Sequence, residues 1–379
     1  MNEIIISFIV IFICLFLLWI FGYINKKNKI KKLSEYSFIN SPTKILNEED
    51  HVTCFLCLRN HDFLSGQMNG MISLYNHKDF SNIFLIIEHC EPITSLSELN
   101  DGSILTSSAD GTLKKIKLLN DNNDNPRKNK YLVEFVFYTN KEFIFKSIQI
   151  KNSDDIISSN IAKELILWKK TLNEIELYKV YKILLRDEYV QDILQVNDNI
   201  LITSGESVQC WDINNYKPIK KVKYYTKGSS SIYKINEILT GIFLKNKGDI
   251  LIFNNNDLHE VKIINLTKFS LTSLKSLTNK TILVGIFDEQ NKKSSINQYM
   301  INIENNNSEE EKQIDYNNIE MIELKKETIN YVEDDFYFEG LNWSRINTIE
   351  EIENYVILGI GGQEKMKNYG RLIIFEKSK

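Results

Sequence analysis

The sequence predicts an all-β repeat domain behind one apolar N-terminal segment. Three observations lead there: a 20-residue apolar run near the N terminus, no sustained 3.6-residue periodicity after it, and one seven-residue pattern that recurs seven times. The whole chain has 379 residues, 43% apolar and 25% charged, with a net charge of −4. That supplies a large core and excludes a disordered or collagen-like chain. The slightly acidic balance gives no whole-chain footprint for nucleic acid. Five cysteines are too few for a disulfide framework.

The apolar run is Ile4–Tyr23, with Ser7 its only strongly polar side chain. At 1.5 Å per residue it spans about 30 Å, the hydrocarbon thickness of a bilayer. No basic region precedes it and no small-residue cleavage site follows, so it reads as a retained anchor rather than a cleaved signal. Lys26, Lys27, Lys29, Lys31 and Lys32 crowd its C-terminal flank, whereas only Glu3 precedes it. The positive-inside rule then puts everything after Tyr23 in the cytoplasm.

Beyond the anchor, short β-branched and aromatic runs alternate with Asn, Asp, Gly and Ser clusters, the pattern of strands and turns. Seven segments stack in register: Asn69–Tyr75, Asp110–Ile116, Ala162–Trp168, Gly205–Trp211, Lys247–Phe253, Lys293–Tyr299 and Tyr369–Phe375. Their fourth column is always aliphatic: Ile72, Leu113, Leu165, Val208, Ile250, Ile296 and Leu372. Their seventh is Tyr75, Ile116, Trp168, Trp211, Phe253, Tyr299 and Phe375, aromatic in all but one. A turn followed by a strand with inward-facing residues at alternate positions is what a half-buried strand needs. Each segment follows a run that ends in small or polar residues, such as Ser103–Ser108, Ile200–Ser204 and Tyr355–Gly359. The seventh column recurs at spacings of 41, 52, 43, 42, 46 and 76 residues.

In these features the chain resembles the WD-repeat β-propeller family, whose repeats run about 40–45 residues with four strands per blade. Glu88-His89 followed by Leu105–Gly111 resembles the family's His, small-residue strand and Asp-Gly turn, and Trp211-Asp212 is similar to its naming dipeptide. Most repeats lack that His and turn Asp, and Ile116-Lys117 stands where Trp-Asp is expected. The resemblance implies a seven-bladed β-propeller of divergent WD repeats preceded by one transmembrane helix. Residues 1–24 form the anchor with its short tail, 25–35 a basic linker and 36–379 the propeller. Only four residues follow Phe375, so the last blade's outer strand is expected from the start of the domain, within 36–46. Two long intervals, 119–143 and 304–340, are expected to hold mobile surface inserts, the first a polar run followed by extra strand material and the second acidic.

Chemistry is sparse. Cys54 and Cys57 form a C-x-x-C with no second pair or βαβ setting, so they read as structural thiols, and no metal site is expected. The five histidines are scattered, and His89 reads as a hydrogen-bond partner inside a blade. No catalytic residue or resident cofactor is expected. The glycine-rich stretch Gly359–Gly370 reads as a flexible connector. It also resembles the loop of the membrane-anchored propeller exchange factors of the COPII pathway. That likeness implies contact between a SAR-type small GTPase and Gly359, Gly361, Gly362, Lys365 and Asn368, with a potassium ion held in some members. The family carries its loop in the first blade and its anchor at the C terminus, the reverse of this chain. Two functions follow as expectations. One is a non-catalytic protein–protein interaction scaffold on the cytosolic face of an internal membrane, such as the endoplasmic reticulum. The other is a nucleotide-exchange factor for a SAR-type GTPase in ER-to-Golgi vesicle formation. N-glycosylation sequons at Asn265, Asn279, Asn306 and Asn342 make the topology testable.

Overall fold

The structure is a computed structural model. It describes residues 42–377 except 120–129, 140, 172–177, 186–188, 224–229, 237–238, 245–247, 256–259, 279–280, 292, 306–313, 330–342 and 365–366. The anchor Ile4–Tyr23 and its flanking lysines Lys26, Lys27, Lys29, Lys31 and Lys32 lie outside the described residues.

Among the described residues every regular element of helix or sheet type is a strand. The first is β1 (Lys44–Glu48). Blade 1 then contains β2 (Val52–Cys57), β3 (Phe63–Gln67), β4 (Met71–Tyr75) and β5 (Asn82–Ile87). Blade 2 has β6 (Ile93–Glu98), β7 (Ile104–Ser108), β8 (Thr112–Leu118) and β9 (Tyr131–Tyr138). Blade 3 has β10 (Ile144–Gln149), β11 (Ile156–Asn160), β12 (Glu164–Lys170) and β13 (Tyr178–Leu184). Blade 4 has β14 (Val190–Gln195), β15 (Ile200–Gly205), β16 (Ser207–Asp212) and β17 (Lys217–Lys223). Blade 5 has β18 (Ser230–Lys234), β19 (Leu239–Leu244), β20 (Asp249–Asn254) and β21 (Glu260–Asn265). Blade 6 has β22 (Ser270–Ser276), β23 (Thr281–Asp288), β24 (Lys293–Asn305) and β25 (Ile314–Ile329). Blade 7 has β26 (Trp343–Ile352), β27 (Tyr355–Glu364) and β28 (Lys367–Glu376), and takes β1 as its outer strand.

Each blade is thus a four-stranded antiparallel meander, and the seventh is completed by the chain's first strand. β1 runs from Lys44 opposite Ile374 to Glu48 opposite Gly370. The closing strand is Lys44–Glu48, which overlaps the expected 36–46 at residues 44–46 and runs two residues past it. Covering the edge of β28 this way removes an open row of backbone donors and acceptors.

The recurring columns are the third strands of the seven blades, and both are buried throughout; Ile72, Leu113, Ile116 and Phe253 are fully covered. The core is not one mass but seven apolar clusters, one between each pair of neighbouring blades. Such an arrangement needs small residues where the second strand faces the next blade. A Cβ on Gly66 would come within 2.8 Å of Ile93, and one on Gly359 within 2.7 Å of Val52. Ile93 and Val52 both open the inner strand of the following blade.

Inner strands carry a bulge at their start in six blades, between Val52/Cys54, Ile93/Ser95, Ile144/Lys146, Val190/Asp192, Leu271/Ser273 and Ile346/Thr348. The bulge turns one side chain toward the neighbouring blade. Thr53 Oγ1 donates to the Ile93 carbonyl at 2.6 Å, and Asn347 Nδ2 donates to the Val52 carbonyl at 2.7 Å. These bonds pin blade 1 to blade 2 and blade 7 to blade 1.

The strand material expected in 119–143 is present, and 304–340 holds a strand where a loop was expected. In 119–143, Tyr131–Tyr138 is the outer strand of blade 2. In 304–340, Ile314–Ile329 is the outer strand of blade 6, paired with β24 from Ile314 opposite Asn305 to Ile329 opposite Ser294. An outer strand shields only part of itself, so polar and charged residues are tolerated there and its sequence looks like a loop.

Candidate functional site

The ring has two faces. At the upper face, outer strands cross to the next blade's inner strand and second strands turn into third strands. At the lower face, inner strands turn into second strands and third strands turn into outer strands.

His89 lies on the crossing from blade 1 to blade 2. Its Nδ1 is 2.8 Å from Asp110 Oδ2 and its Nε2 is 2.7 Å from Thr106 Oγ1. Thr112 supports Asp110 with its amide at 2.9 Å and its hydroxyl at 2.7 Å. Burial would raise the Asp110 carboxyl, but the bonds from His89 and Thr112 overcome it and hold the group at about 2. A hydroxyl, an imidazole and a carboxylate in a line have the geometry of a nucleophilic triad. Here the His89 side chain and Thr106 are both fully covered, so no substrate can reach the hydroxyl. The constellation is a staple between a crossing and a turn, as the sequence suggested for His89.

The same second-strand hydroxyl position is used differently in other blades. Ser158 accepts from Trp168 Nε1 and Thr203 from Trp211 Nε1, each at 2.9 Å. In blade 2 Ile116 has no donor, and His89 takes that place. In blade 1 the partner is Glu48, whose carboxylate accepts from Ser65, from Gln67 Nε2 at 2.8 Å and from Ser73 Oγ at 2.9 Å. Burial pushes the Glu48 carboxyl up despite these bonds. The closing strand is therefore latched into blade 1 as well as zipped to β28.

Along the ring axis runs a channel of about 680 Å³, lined mainly by inner strands. Lys275 Nζ lies 2.5 Å from Glu350 Oε2, and Lys146 Nζ lies 3.7 Å from Asp192 Oδ1. Asp192 Oδ2 also accepts from the Ile232 amide at 2.9 Å, tying blade 4 to blade 5. Cys54 lines the channel, and burial pushes its thiol up to about 12, which leaves it a poor nucleophile. Cys57 is half-buried, and burial raises it too. Among the described residues no three His, Cys, Asp or Glu side chains converge as a metal site would.

At the upper mouth of the channel the surface becomes apolar and aromatic. Met68, 45% exposed, follows β3. Half-buried Phe143 and Phe145 have ring centroids 5.0 Å apart, Phe145 and Tyr189 meet edge to face at 6.4 Å, and Lys163 Nζ lies 4.9 Å from the Tyr189 centroid. Sequence reasoning missed this cluster, because its members come from the end of one strand and the starts of others, in separate blades, and share no motif.

On both sides of residues 365–366 the glycine-rich stretch is strand rather than the expected connector. Gly359, Gly361 and Gly362 lie in β27 and Asn368 in β28, paired as Gly359 with Leu372, Gly361 with Gly370, Gly362 with Tyr369 and Gln363 with Asn368. Lys365 lies outside the described residues. Gly359 packs on Val52, and a Cβ on Gly361 would come within 2.8 Å of His51. The Gly362 carbonyl is 2.7 Å from His51 Nε2. Each glycine thus serves the seam between blades 7 and 1.

Comparison with solved structures agrees with this architecture. The chain superposes on the WD40 repeats of RRP9 with a TM-score of 0.60 at 12% identity, covering 89% of this chain and 99% of that one. For U3-55K the TM-score is 0.62 at 12% identity, covering 88% and 99%. For the Swd1 propeller domain of Myceliophteria thermophila it is 0.61 at 12% identity, covering 89% and 99%. No protein-family model matches the chain, and no curated protein does. The fold is the seven-bladed WD40-type β-propeller.

Proposed function

We propose that this chain is a non-catalytic, membrane-anchored scaffold that gathers partner proteins on the cytosolic face of an internal membrane, the endoplasmic reticulum being the expected one. The observation that carries the reading is the upper channel mouth. Exposed Met68 and half-buried Phe143, Phe145 and Tyr189 give a partly accessible aromatic and thioether surface with charged residues beside it, the composition favoured at the centre of protein interfaces. The closing strand starts at the lower face of blade 7, so an anchor ahead of it leaves the upper face turned toward the cytosol. Tethering also confines partners near the bilayer and raises their effective concentration.

The test is in-membrane crosslinking of the full chain to identify partners, then titration of one purified partner against wild type and a Met68→Asp/Phe145→Asp variant. Loss of affinity of about tenfold or more in a variant that still folds supports the reading. Unchanged affinity for every partner refutes the mouth as the docking site.

The exchange-factor reading has weaker support, because Gly359 and Gly361 pack at the seam of blades 7 and 1 and the Gly362 carbonyl meets His51. Its assay is nucleotide release from a SAR-type GTPase, and the potassium ion implied by that resemblance stands or falls with it.

A further inference from the structure

We infer that the outer edge of blade 2 is a second docking surface, where an extended, uncharged segment of a partner protein adds as a fifth strand beside β9. An outer strand leaves a row of backbone N–H and C=O groups open to pairing, and proteins blunt such edges with lysine, proline or a covering group. Five of the seven outer strands, β1, β13, β17, β21 and β25, carry lysine, as at Lys44, Lys179, Lys220, Lys262 and Lys325. Only β5 and β9 have neither lysine nor proline. Blade 2 covers β5: Lys130 Nζ donates to the Ile83 carbonyl at 3.4 Å, the Tyr131 hydroxyl meets the Ile87 backbone, and Phe84 stacks on Tyr131 at 6.2 Å. Among the described residues nothing hydrogen-bonds to the backbone of β9 on the side away from β8. A bulge interrupts β9 at Glu134, but β5, β17, β21 and β25 have comparable bulges, so this is not what sets β9 apart.

The flanks of this edge are apolar. Register sets Leu132, Phe135 and Phe137 opposite Lys117, Lys115 and Leu113, on the face toward blade 3. There Leu132 is 53% exposed, and Val180 of β13, 49% exposed and paired with Trp168, faces the same groove. Half-buried Phe135 and Tyr178 lie between the two blades with ring centroids 5.4 Å apart. On the other face of β9, Tyr138 is 71% exposed. An open backbone row beside an apolar groove suits an extended chain with apolar residues at alternate positions; a helix has no free main-chain groups to give the edge.

Charge decides what the edge accepts. Glu134, the one charge in β9, is held by Lys115 at 3.1 Å with Lys117 at 3.9 Å. Lys115 also holds Asp101 at 2.6 Å, Lys114 lies 3.5 Å from Glu88, and Asp154 on the blade 3 side accepts from Gln149 at 3.3 Å. With these carboxylates engaged, the edge favours an uncharged strand. A second copy fits poorly. Parallel self-pairing about a twofold axis along the strands sets Glu134 against its own copy, and like charges directly opposite are unfavourable. Antiparallel self-pairing turns one ring upside down, because outer strands run from the lower to the upper face, and two chains anchored in one membrane leaflet cannot meet that way. This last point rests on the proposed anchor; the open edge does not.

The test uses the full chain in nanodiscs of neutral phosphatidylcholine and a labelled, strand-length peptide of alternating Val and Thr. Binding is read by fluorescence anisotropy and by amide hydrogen exchange. Wild type is expected to bind the peptide with slowed exchange in β9. Leu132→Lys/Tyr138→Lys is expected to weaken binding about tenfold or more with thermal unfolding unchanged, since both side chains are exposed and lysine blunts an edge. The same peptide with all its amides N-methylated is expected not to bind, because it cannot pair through its main chain. Met68→Asp/Phe145→Asp is expected to leave peptide binding intact, which separates this surface from the channel mouth. A chain that does not enter the discs refutes the anchor, and the same titration is then run in solution. No binding by wild type, binding that survives N-methylation, or binding that the lysine pair does not weaken overturns the inference. Self-association of wild type that the lysine pair abolishes assigns the edge to a second copy and overturns it as well.

Discussion

Replacing Asp110 by Asn removes the charge that His89 and Thr112 grip, and its cost follows from the structure. The carboxyl is held at about 2 against an ordinary value of 3.8. At about 1.4 kcal/mol per pKa unit the grip is worth roughly 2–3 kcal/mol. Asp110 sits in a turn at the surface, so screening trims this to about 1–2 kcal/mol. For a cooperative ring of this size that is about 1–3 °C in Tm. The pH dependence has a definite sign. A carboxyl that titrates lower in the fold contributes stability above pH 3.8, and that contribution disappears as pH falls toward 2. Thermal unfolding of both proteins across pH 2–7 measures it. The gap should be full at pH 5–7 and shrink toward zero near pH 2. A gap that stays constant over this range, or no gap at pH 7, refutes the charge-based account of the staple.

Other outcomes follow from the seams between blades. Gly359→Val should lower stability by about 1–3 kcal/mol through overpacking against Val52, measured by urea unfolding, with no effect on GTPase nucleotide release. Glu48→Ala strips Ser65, Gln67 and Ser73 of their shared acceptor and should cost more than Glu48→Gln in the same assay. Because the Glu48 carboxyl is raised, wild type should gain on Glu48→Gln as pH falls from neutral toward 4.5. Mapped alkylation at pH 8 should modify exposed Cys90 quickly and leave Cys54, pushed up to about 12, and Cys210, pushed up to about 11, unreacted until unfolding.

The third strands were legible in the sequence because both their faces are buried, so their apolar columns recur whatever else changes. The closing strand was partly legible from the residue count after Phe375, but 44–48 carries too few buried side chains to fix its register. Outer strands were legible least. Ile314–Ile329 forms a ladder with β24 although its sequence lies in a stretch that reads as an acidic loop, since a rim strand needs only backbone partners on one side. The glycines of β27 misled for a related reason. Glycine suggests a loop until Gly359 is aligned with Gly66 and Ser107, which also precede the turn and face the next inner strand. That alignment was available, because Tyr355–Gly359 belongs to the small-ended runs of the repeat. The channel mouth was not available, because only the ring brings Met68, Phe145 and Tyr189 together.

The most direct test of a cytosolic, membrane-anchored scaffold is protease protection of the full chain in intact microsomes, read with glycosidase mobility. Asn265 lies in β21 and is exposed, so it offers a sequon within the folded ring. The account predicts a membrane-embedded chain whose propeller is digested from outside and carries no glycan. A propeller protected from protease and glycosylated at Asn265 contradicts it and turns the channel mouth toward lumenal partners.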